Sequence, residues 1–347
     1  MPFTFVDLFA GIGGFRIALE SLGGRCVFSC EINERTRRCY EDNFGHSNEF
    51  AADIRKVRML PRTDVLCAGF PCQPFSVAGS KKGMQDKSRG LLVDEIFRLV
   101  RARRYRPRVV LLENVPNIMR FPKMIKHLER EFGSLGYELT WQPICSSLYN
   151  APQTRNRIYF VALLQTVASR PMQWPDAGLS NWLRRRKEAR VLGTAQADVR
   201  SVLQPFDEVP VELHVPGGMQ MFPPENHKKD QRFICGDRLR QSHRLFSIDY
   251  PAPTVLKTLR NKFFDDRTDP PTVRYLTMRE TTRLMGFPDS FSIDRLDHSM
   301  LGNAVVPQVI ADVAKRAIEC IPAIQLRVAR IYRRQFHINP RHHGSVH

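Results

Sequence analysis

The sequence predicts an α/β protein: a doubly wound parallel sheet joined to a second, smaller and irregular domain. Three observations carry that reading. In the first half of the 347 residues, short apolar runs alternate with stretches of helical spacing, the pattern of βαβ units. From Gln165 to about Arg274 the chain becomes rich in Pro, Gly and charge, and its periodicity weakens. Helical spacing then returns at Thr277–Met285 and Asn303–Ile321.

In order, Phe3–Phe9 ("FTFVDLF"), Arg25–Cys30 ("RCVFSC"), the short "EFAAD" ending at Asp53, Asp64–Gly69 ("DVLCAG") and Arg108–Glu113 ("RVVLLE") read as strands. Phe15–Leu22, Glu34–Asn43, Leu91–Arg103 and Pro122–Phe132 carry the helical spacing between and after them. Tyr137–Cys145 and Arg157–Leu164 would close the sheet. No helix is evident between those two, which leaves an antiparallel pair at the sheet edge open. The boundaries expected are 1–165 for the first domain, 166–273 for the second, and 274–321 for a segment returning to the first. The tail 322–347 has five arginines and no acids, a composition expected to fray or stay disordered.

A hydrophobic content of 42% and a charged content of 25% are those of a globular chain, and no apolar run approaches the length of a membrane span. The start lacks the pattern of a secretory signal, so an intracellular protein is expected. Eight scattered cysteines with no C-x-x-C pair suggest neither a disulfide framework nor a structural metal. Lys and Arg number 53 against 35 acids, a formal net charge of +18. Such an excess points to a polyanionic partner, nucleic acid first, without separating DNA from RNA.

Chemistry concentrates where strands end. "DLFAGIGGF" (7–15) follows the first strand, and Gly11, Gly13 and Gly14 allow a tight turn and close approach of a ligand to the backbone. Arg16 stands where a dinucleotide fingerprint needs a third glycine, which argues against NAD. Glu31 ends the second strand, placed to hold a ribose diol, so an adenosine-bearing cofactor is expected. Asp53, Cys72 and Glu113-Asn114 follow later strands, and ligands of open α/β sheets bind outside such carboxyl ends. Cys72 lies in "GFPCQPFSVAG" (69–79), where Pro71 and Pro74 each fix φ and lack an amide donor, holding one thiol on a stiff loop. Arg155 and Arg157 in "QTRNRIYFVA" are two apart at a strand start and so share a side. Asn303 in "LGNAVVPQ" precedes an apolar helix that it can cap.

Six of these segments, in this order, resemble the motifs of the cytosine-C5 DNA methyltransferases of the bacterial modification type. They are "DLFAGIGGF", "GFPCQPFS", "ENV" (113–115), "QTRNR", "RYLTMRETTRLMGFPDSF" (274–291) and "LGNAVVPQ". The resemblance covers nearly all of 1–165 and 274–320. It implies a Rossmann-like, S-adenosylmethionine-dependent sheet, with the variable stretch 166–273 as target-recognition domain. By resemblance Cys72 is the nucleophile that adds to C6 of cytosine, and Glu113 binds the N3 and amine edge. Arg155 contacts the base, and Arg155 and Arg157 supply positive surroundings for the thiolate. Glu31 takes the cofactor ribose and Asp53 the adenine amine. Phe9, Ala10, Gly11, Ile12, Gly13, Gly14, Ile32 and Ile54 line the cleft, and Pro71, Asn303, Ala304 and Val305 close it.

The resemblance further implies double-stranded DNA as substrate and a base flipped out of the duplex. The loop 79–90, with four basic residues, would close over it. No metal and no membrane are implied. The chain is expected to act as a monomer, in the bacterial cytoplasm and at the nucleoid through DNA, within a restriction–modification or orphan modification system. Two alternatives stand beside this: an RNA methyltransferase on the same scaffold, disfavoured by the long variable segment, and a catalytically silent DNA-binding relative, disfavoured by the intact Cys72, Glu113 and Arg155.

Overall fold

The computed structural model describes residues 2–46, 48–71, 92–102, 105–175, 197–215, 233–236, 244–258 and 260–325. Cys72, Pro74, the 79–90 loop and the tail beyond 325 lie outside the described residues. A seven-stranded sheet is built from β1 (Thr4–Leu8), β2 (Arg25–Cys30), β3 (Glu49–Ala51), β4 (Val65–Gly69), β5 (Val109–Asn114), β6 (Tyr137–Cys145) and β8 (Asn156–Leu164). Its order is β3-β2-β1-β4-β5-β8-β6, and β1 to β5 run parallel. β8 lies antiparallel to both β5 and β6. The last two strands therefore form the edge pair that the missing helix left open. Strand order reverses between β1 and β4, the switch point at which open α/β sheets bind ligands.

The strands alternate their burial between two faces. Phe3, Phe5, Val65, Cys67, Val109, Leu111 and Val161 enter one core; Val6, Leu8, Leu66, Ala68, Val110, Leu112 and Phe160 enter the other. A parallel sheet covered on both faces reads as continuous apolar runs for this reason. The second face is covered by α3 (Leu92–Arg101) and α4 (Pro122–Ser134), whose buried Phe97 and Phe132 meet edge to face at 4.9 Å. α1 (Gly14–Ser21) covers the first face, packed against α7 (Pro307–Glu319), and α2 (Glu34–Phe44) follows β2. Two helices precede α7: α5 (Met278–Leu284), opened by a Thr277–Glu280 capping box, and α6 (His298–Asn303).

The expected single helix over Asn303–Ile321 is thus two helices with a break. Pro307 cannot continue a helix entering from its N-terminal side, and the preceding Val306 is extended at φ −92° and ψ 111°. Pro307 instead occupies the first turn of α7, where its missing donor costs nothing. Asn303 ends α6, so the expected cap is corrected: no side chain caps α7.

The middle region is more regular than its composition suggests. β9 (Phe233–Gly236), β10 (Arg244–Ser247), β12 (Lys262–Asp265) and β13 (Thr272–Arg274) form a four-stranded sheet in the order β13-β12-β10-β9. β11 (Ala252–Pro253) leaves it to pair in parallel with β7 (Gln153–Thr154) beside the large sheet. Under β12 and β13 lies a buried ionic seam. The Arg274 guanidinium donates to Asp265 at 2.7 Å and to Glu280 at 2.8 Å and 3.0 Å, and all three side chains are almost wholly enclosed. This ties the small sheet to the first turn of α5.

Residues 166–175 pack back on the large sheet: the Trp174 indole N–H donates to Thr140 on β6, and Ser169 N–H to the Cys320 carbonyl. Residues 322–325 are helical and Ile324 is fully buried, so ordered structure continues into the expected tail. Among the described residues no helix is long and apolar enough to cross a membrane.

Candidate active site

The glycine loop after β1 is shaped by positive φ at Phe9 (55°), Gly11 (55°) and Gly13 (91°). Glycine adopts this region freely; Phe9 does so at a cost of about 1–3 kcal/mol, the kind of strain found at ligand sites. Each glycine has its own reason. A Cβ on Gly13 would sit 2.2 Å from the Phe44 ring, and one on Gly14 would sit 2.7 Å from Val305 Cγ2. A Cβ on Gly11 would meet nothing within 4 Å, so the loop opens there onto free space. Ile12 and Ala10 are buried beside it.

Glu31, at the end of β2, braces this loop. One carboxylate oxygen accepts the Gly11 N–H at 3.0 Å and the other the Asn33 N–H at 2.8 Å. Next to it Ile32 is 65% exposed, an apolar side chain with no core to fill. Asp53 follows β3 and caps the short turn Ile54–Lys56. Its hydrogen bond from Arg55 holds its carboxyl below the usual aspartate range. Ile54 itself is buried. An acid bracing an open glycine turn, an exposed apolar side chain beside it and a second acid one strand further fit the adenosine of a nucleoside cofactor.

On the other side of the switch point, β4 pairs with β5 so that Gly69 lies opposite Glu113. Asn114 donates to the Phe70 carbonyl at 3.1 Å and accepts the Val115 N–H at 2.8 Å, fixing where the chain leaves β4 toward the exposed Pro71. Glu113 is buried and pairs with Arg157 Nε at 2.9 Å. Burial raises the Glu113 pKa above its ordinary value, with Arg157 and then Arg155 opposing.

The two arginines share a neighbourhood but not a task. Arg157 reaches Glu113, whereas Arg155 is 1% exposed and, among the described residues, its guanidinium donates to main-chain carbonyls of Val255, Gly302 and Ala304. The expected contact of Arg155 with a base is therefore corrected: its terminal nitrogens are committed to the protein's own backbone. Ala304 and Val305 are buried, and Asn303 is exposed beside them.

Three groups here were given no site role by the sequence. Asp7 on β1 is completely buried, and among the described residues one of its oxygens has no hydrogen-bond partner. Its signal was an acid inside an apolar strand run. Arg16, in the place of the third fingerprint glycine, is buried with its guanidinium 4.6 Å from the Phe44 ring centre and hydrogen-bonded to Asn48. Gln153 holds the Val255 N–H at 2.8 Å and the Leu284 carbonyl at 3.2 Å.

A parallel sheet with this switch point, glycine turn and acid after β2 defines an α/β enzyme that binds a nucleoside cofactor. Comparison with known proteins narrows the class. Residues 3–319 match the family described as C-5 cytosine-specific DNA methylase. The chain is 32% identical over 335 residues to the Type II methyltransferase M.HpaII of Haemophilus parainfluenzae, covering 91% of this chain and 89% of that one. It is 31% identical over 327 residues to the Type II methyltransferase M.HhaI of Haemophilus parahaemolyticus, covering 89% and 92%. The crystal structure of S. pombe Dnmt2 methyltransferase shares the fold, with a TM-score of 0.67 at 18% identity, over 91% of this chain and 98% of that one. The chain belongs to the C-5 cytosine-specific DNA methylase family. It is a DNA (cytosine-5-)-methyltransferase that uses S-adenosyl-L-methionine.

Proposed function

We propose that this enzyme methylates a cytosine swung out of a DNA duplex, through a covalent bond between Cys72 and C6 of the base. The observation that carries the reading is the buried Glu113–Arg157 pair at the end of β5, beside the strand that runs on through Phe70 and Pro71 toward Cys72. Other thiols are poor candidates. Cys26, Cys30, Cys39, Cys67, Cys145 and Cys320 are buried, and burial pushes Cys26 and Cys39 up to about 11 and Cys30 to about 12.

C5 of cytosine is a weak nucleophile. Addition of the Cys72 thiolate to C6 makes the ring an enamine in which C5 carries the electron density. S-adenosylmethionine supplies the methyl group that C5 takes. Glu113, whose buried carboxyl keeps its proton to higher pH than an exposed glutamate, donates toward N3 as charge develops there. Arg157 sits against that carboxyl and is the arginine we assign to the base. Loss of the C5 proton to water then breaks the C6–S bond and returns the thiolate. Glu31 holds the cofactor ribose and Asp53 the adenine amine. Phe9, Gly11 and Ile32 line the adenosine cleft, which Pro71 and Asn303 close.

The small sheet and its connections within 166–273 are assigned to target recognition, and the 79–90 loop, outside the described residues, to phosphate contacts. The names of the Type II relatives favour a restriction–modification setting. The enzyme is assigned action as a monomer.

Cys72→Ala is expected to lose transfer of labelled methyl groups to DNA while still binding cofactor. On DNA carrying 5-fluorocytosine, where elimination is blocked, only the wild type should form a stable covalent complex. A Cys72→Ala enzyme that methylates at the wild-type rate would remove the covalent step. Transfer to RNA in place of DNA would turn the reading to the RNA alternative.

A further inference from the structure

Arg155 carries a cation into a place that offers it no hydrogen-bonded carboxylate. Among the described residues its guanidinium makes three hydrogen bonds, all to main-chain carbonyls. They run from Nη1 to Val255 at 3.0 Å and from Nη2 to Gly302 at 2.8 Å and Ala304 at 2.7 Å, while Nε has no partner. Burying a charge this way is costly, so the arrangement calls for a reason beyond packing.

The carbonyls belong to two segments distant in sequence. Val255 opens the stretch 255–261, which runs from β11 to β12 and exposes Leu256, Lys257, Thr258 and Arg260. Gly302 lies in the last turn of α6, and Ala304 opens the link from α6 to α7. The segments touch main chain to main chain: a Cβ on Gly302 would lie 2.5 Å from the Lys257 nitrogen. The far side of that link presses on the glycine loop, where a Cβ on Gly14 would lie 3.0 Å from the Val305 carbonyl oxygen. Gln153, two residues before Arg155, accepts the Val255 N–H from the other side. A continuous path thus leads from the cofactor loop through residues 302–305 and Arg155 to Val255 and the exposed Lys257 and Arg260 beyond it.

We propose that Arg155 is a positioning residue that couples the cofactor cleft to the DNA-facing 255–261 segment. Cofactor settles residues 302–305 against Gly14, and Arg155 passes that placement to Val255 and the residues beyond it. The proposal rests on the function proposed above, which assigns one end of the path to cofactor and the other to DNA.

Coupling of two sites is reciprocal and measurable as a ratio of affinities. The duplex is one carrying the enzyme's mapped methylation site, and its affinity is measured with and without S-adenosylhomocysteine. Wild type should bind it at least about fivefold tighter with the ligand, the lower end of typical coupling. Arg155→Lys keeps the charge but loses the planar fork that reaches three carbonyls. It should bring the ratio to within about twofold of one while affinity for S-adenosylhomocysteine alone changes less than about threefold. Gly302→Ala leaves Arg155 in place, pushes the turn off Lys257, and should lower the ratio in the same direction, which keeps the test decisive if the arginine variant does not fold. An Arg155→Lys enzyme with the wild-type ratio, or a wild-type ratio of one, overturns the proposal. Failure of the underlying function would show separately, as a wild type that transfers no methyl group to DNA.

Discussion

The rim of the large sheet and the seam beneath the small one both bury charge, and they treat it in opposite ways. At the seam Arg274 lies between two carboxylates, which raise its pKa despite burial. Asp265, also fully enclosed, would be raised by burial, but hydrogen bonds from Arg267 and Arg274 outweigh it and hold the carboxyl at about 2. At the rim the same residue types go under-paired. Burial and then Arg157 push Arg155 down to about 9, still charged at neutral pH. Asp7 and Glu113 are raised, chiefly by burial. A structural ion network satisfies its members within the fold. A site that must receive a charged ligand and a base leaves capacity open, and perturbed groups gather there.

The sharpest test of the contrast is to remove the cation at the seam. Arg274→Ala leaves Asp265 and Glu280 buried without their partner and should cost about 3–5 kcal/mol of stability, read from urea denaturation. A loss below about 1 kcal/mol would mean that the seam relaxes as readily as a surface pair. At the rim, substitution should strike ligand binding harder than stability. Glu31→Ala removes the brace of the glycine loop and the group assigned to the ribose, and should weaken S-adenosylmethionine binding by about 1.5–3 kcal/mol in calorimetry. If cofactor affinity held while DNA affinity fell, the assignment of this strand end would be wrong.

The smallest effect is a pH slope from Asp7. In the unfolded chain this carboxyl ionises near the ordinary value of about 4, while in the fold burial keeps it protonated to higher pH, with Arg16 opposing. Between those points the folded state holds the extra proton. Its stability is full below the ordinary value and falls as pH rises, by up to about 1.4 kcal/mol per pH unit. Asp7→Asn should flatten that decline when urea midpoints are followed upward from about pH 4. A variant with the wild-type slope would place the titrating group elsewhere. The seam behaves with the opposite sign: Asp265, depressed in the fold, gives stability that is present above its ordinary range and lost as pH falls toward about 2.

Much of the architecture was legible before the structure. Apolar runs of strand length at Thr4–Leu8, Arg25–Cys30 and Val109–Asn114, each followed by helical spacing, admit few arrangements other than a parallel sheet covered on both faces. The places of Glu31 and Glu113 at the sheet rim were legible because a charged side chain ending an apolar strand must face that rim. The small sheet was not legible. Its strands are three or four residues long, too short for period-two alternation to stand out among prolines and charges. The break before Pro307 was within reach of the sequence, since the proline alone forbids a helix entering from its N-terminal side.

Local sequence determined which residue types stand at the strand ends, and with them the cofactor class and the chemistry of the family. Only the tertiary structure decided how Arg155 and Arg157 divide their work. Two residues apart on an extended chain, they look equivalent, because spacing sets the side to which each points and says nothing of what waits there. Arg157 meets a carboxylate brought by β5, while Arg155 meets carbonyls from segments 100 or more residues away. Partners that far off in sequence are chosen by the packing of the whole fold, and a guanidinium takes its role from the acceptors that packing delivers.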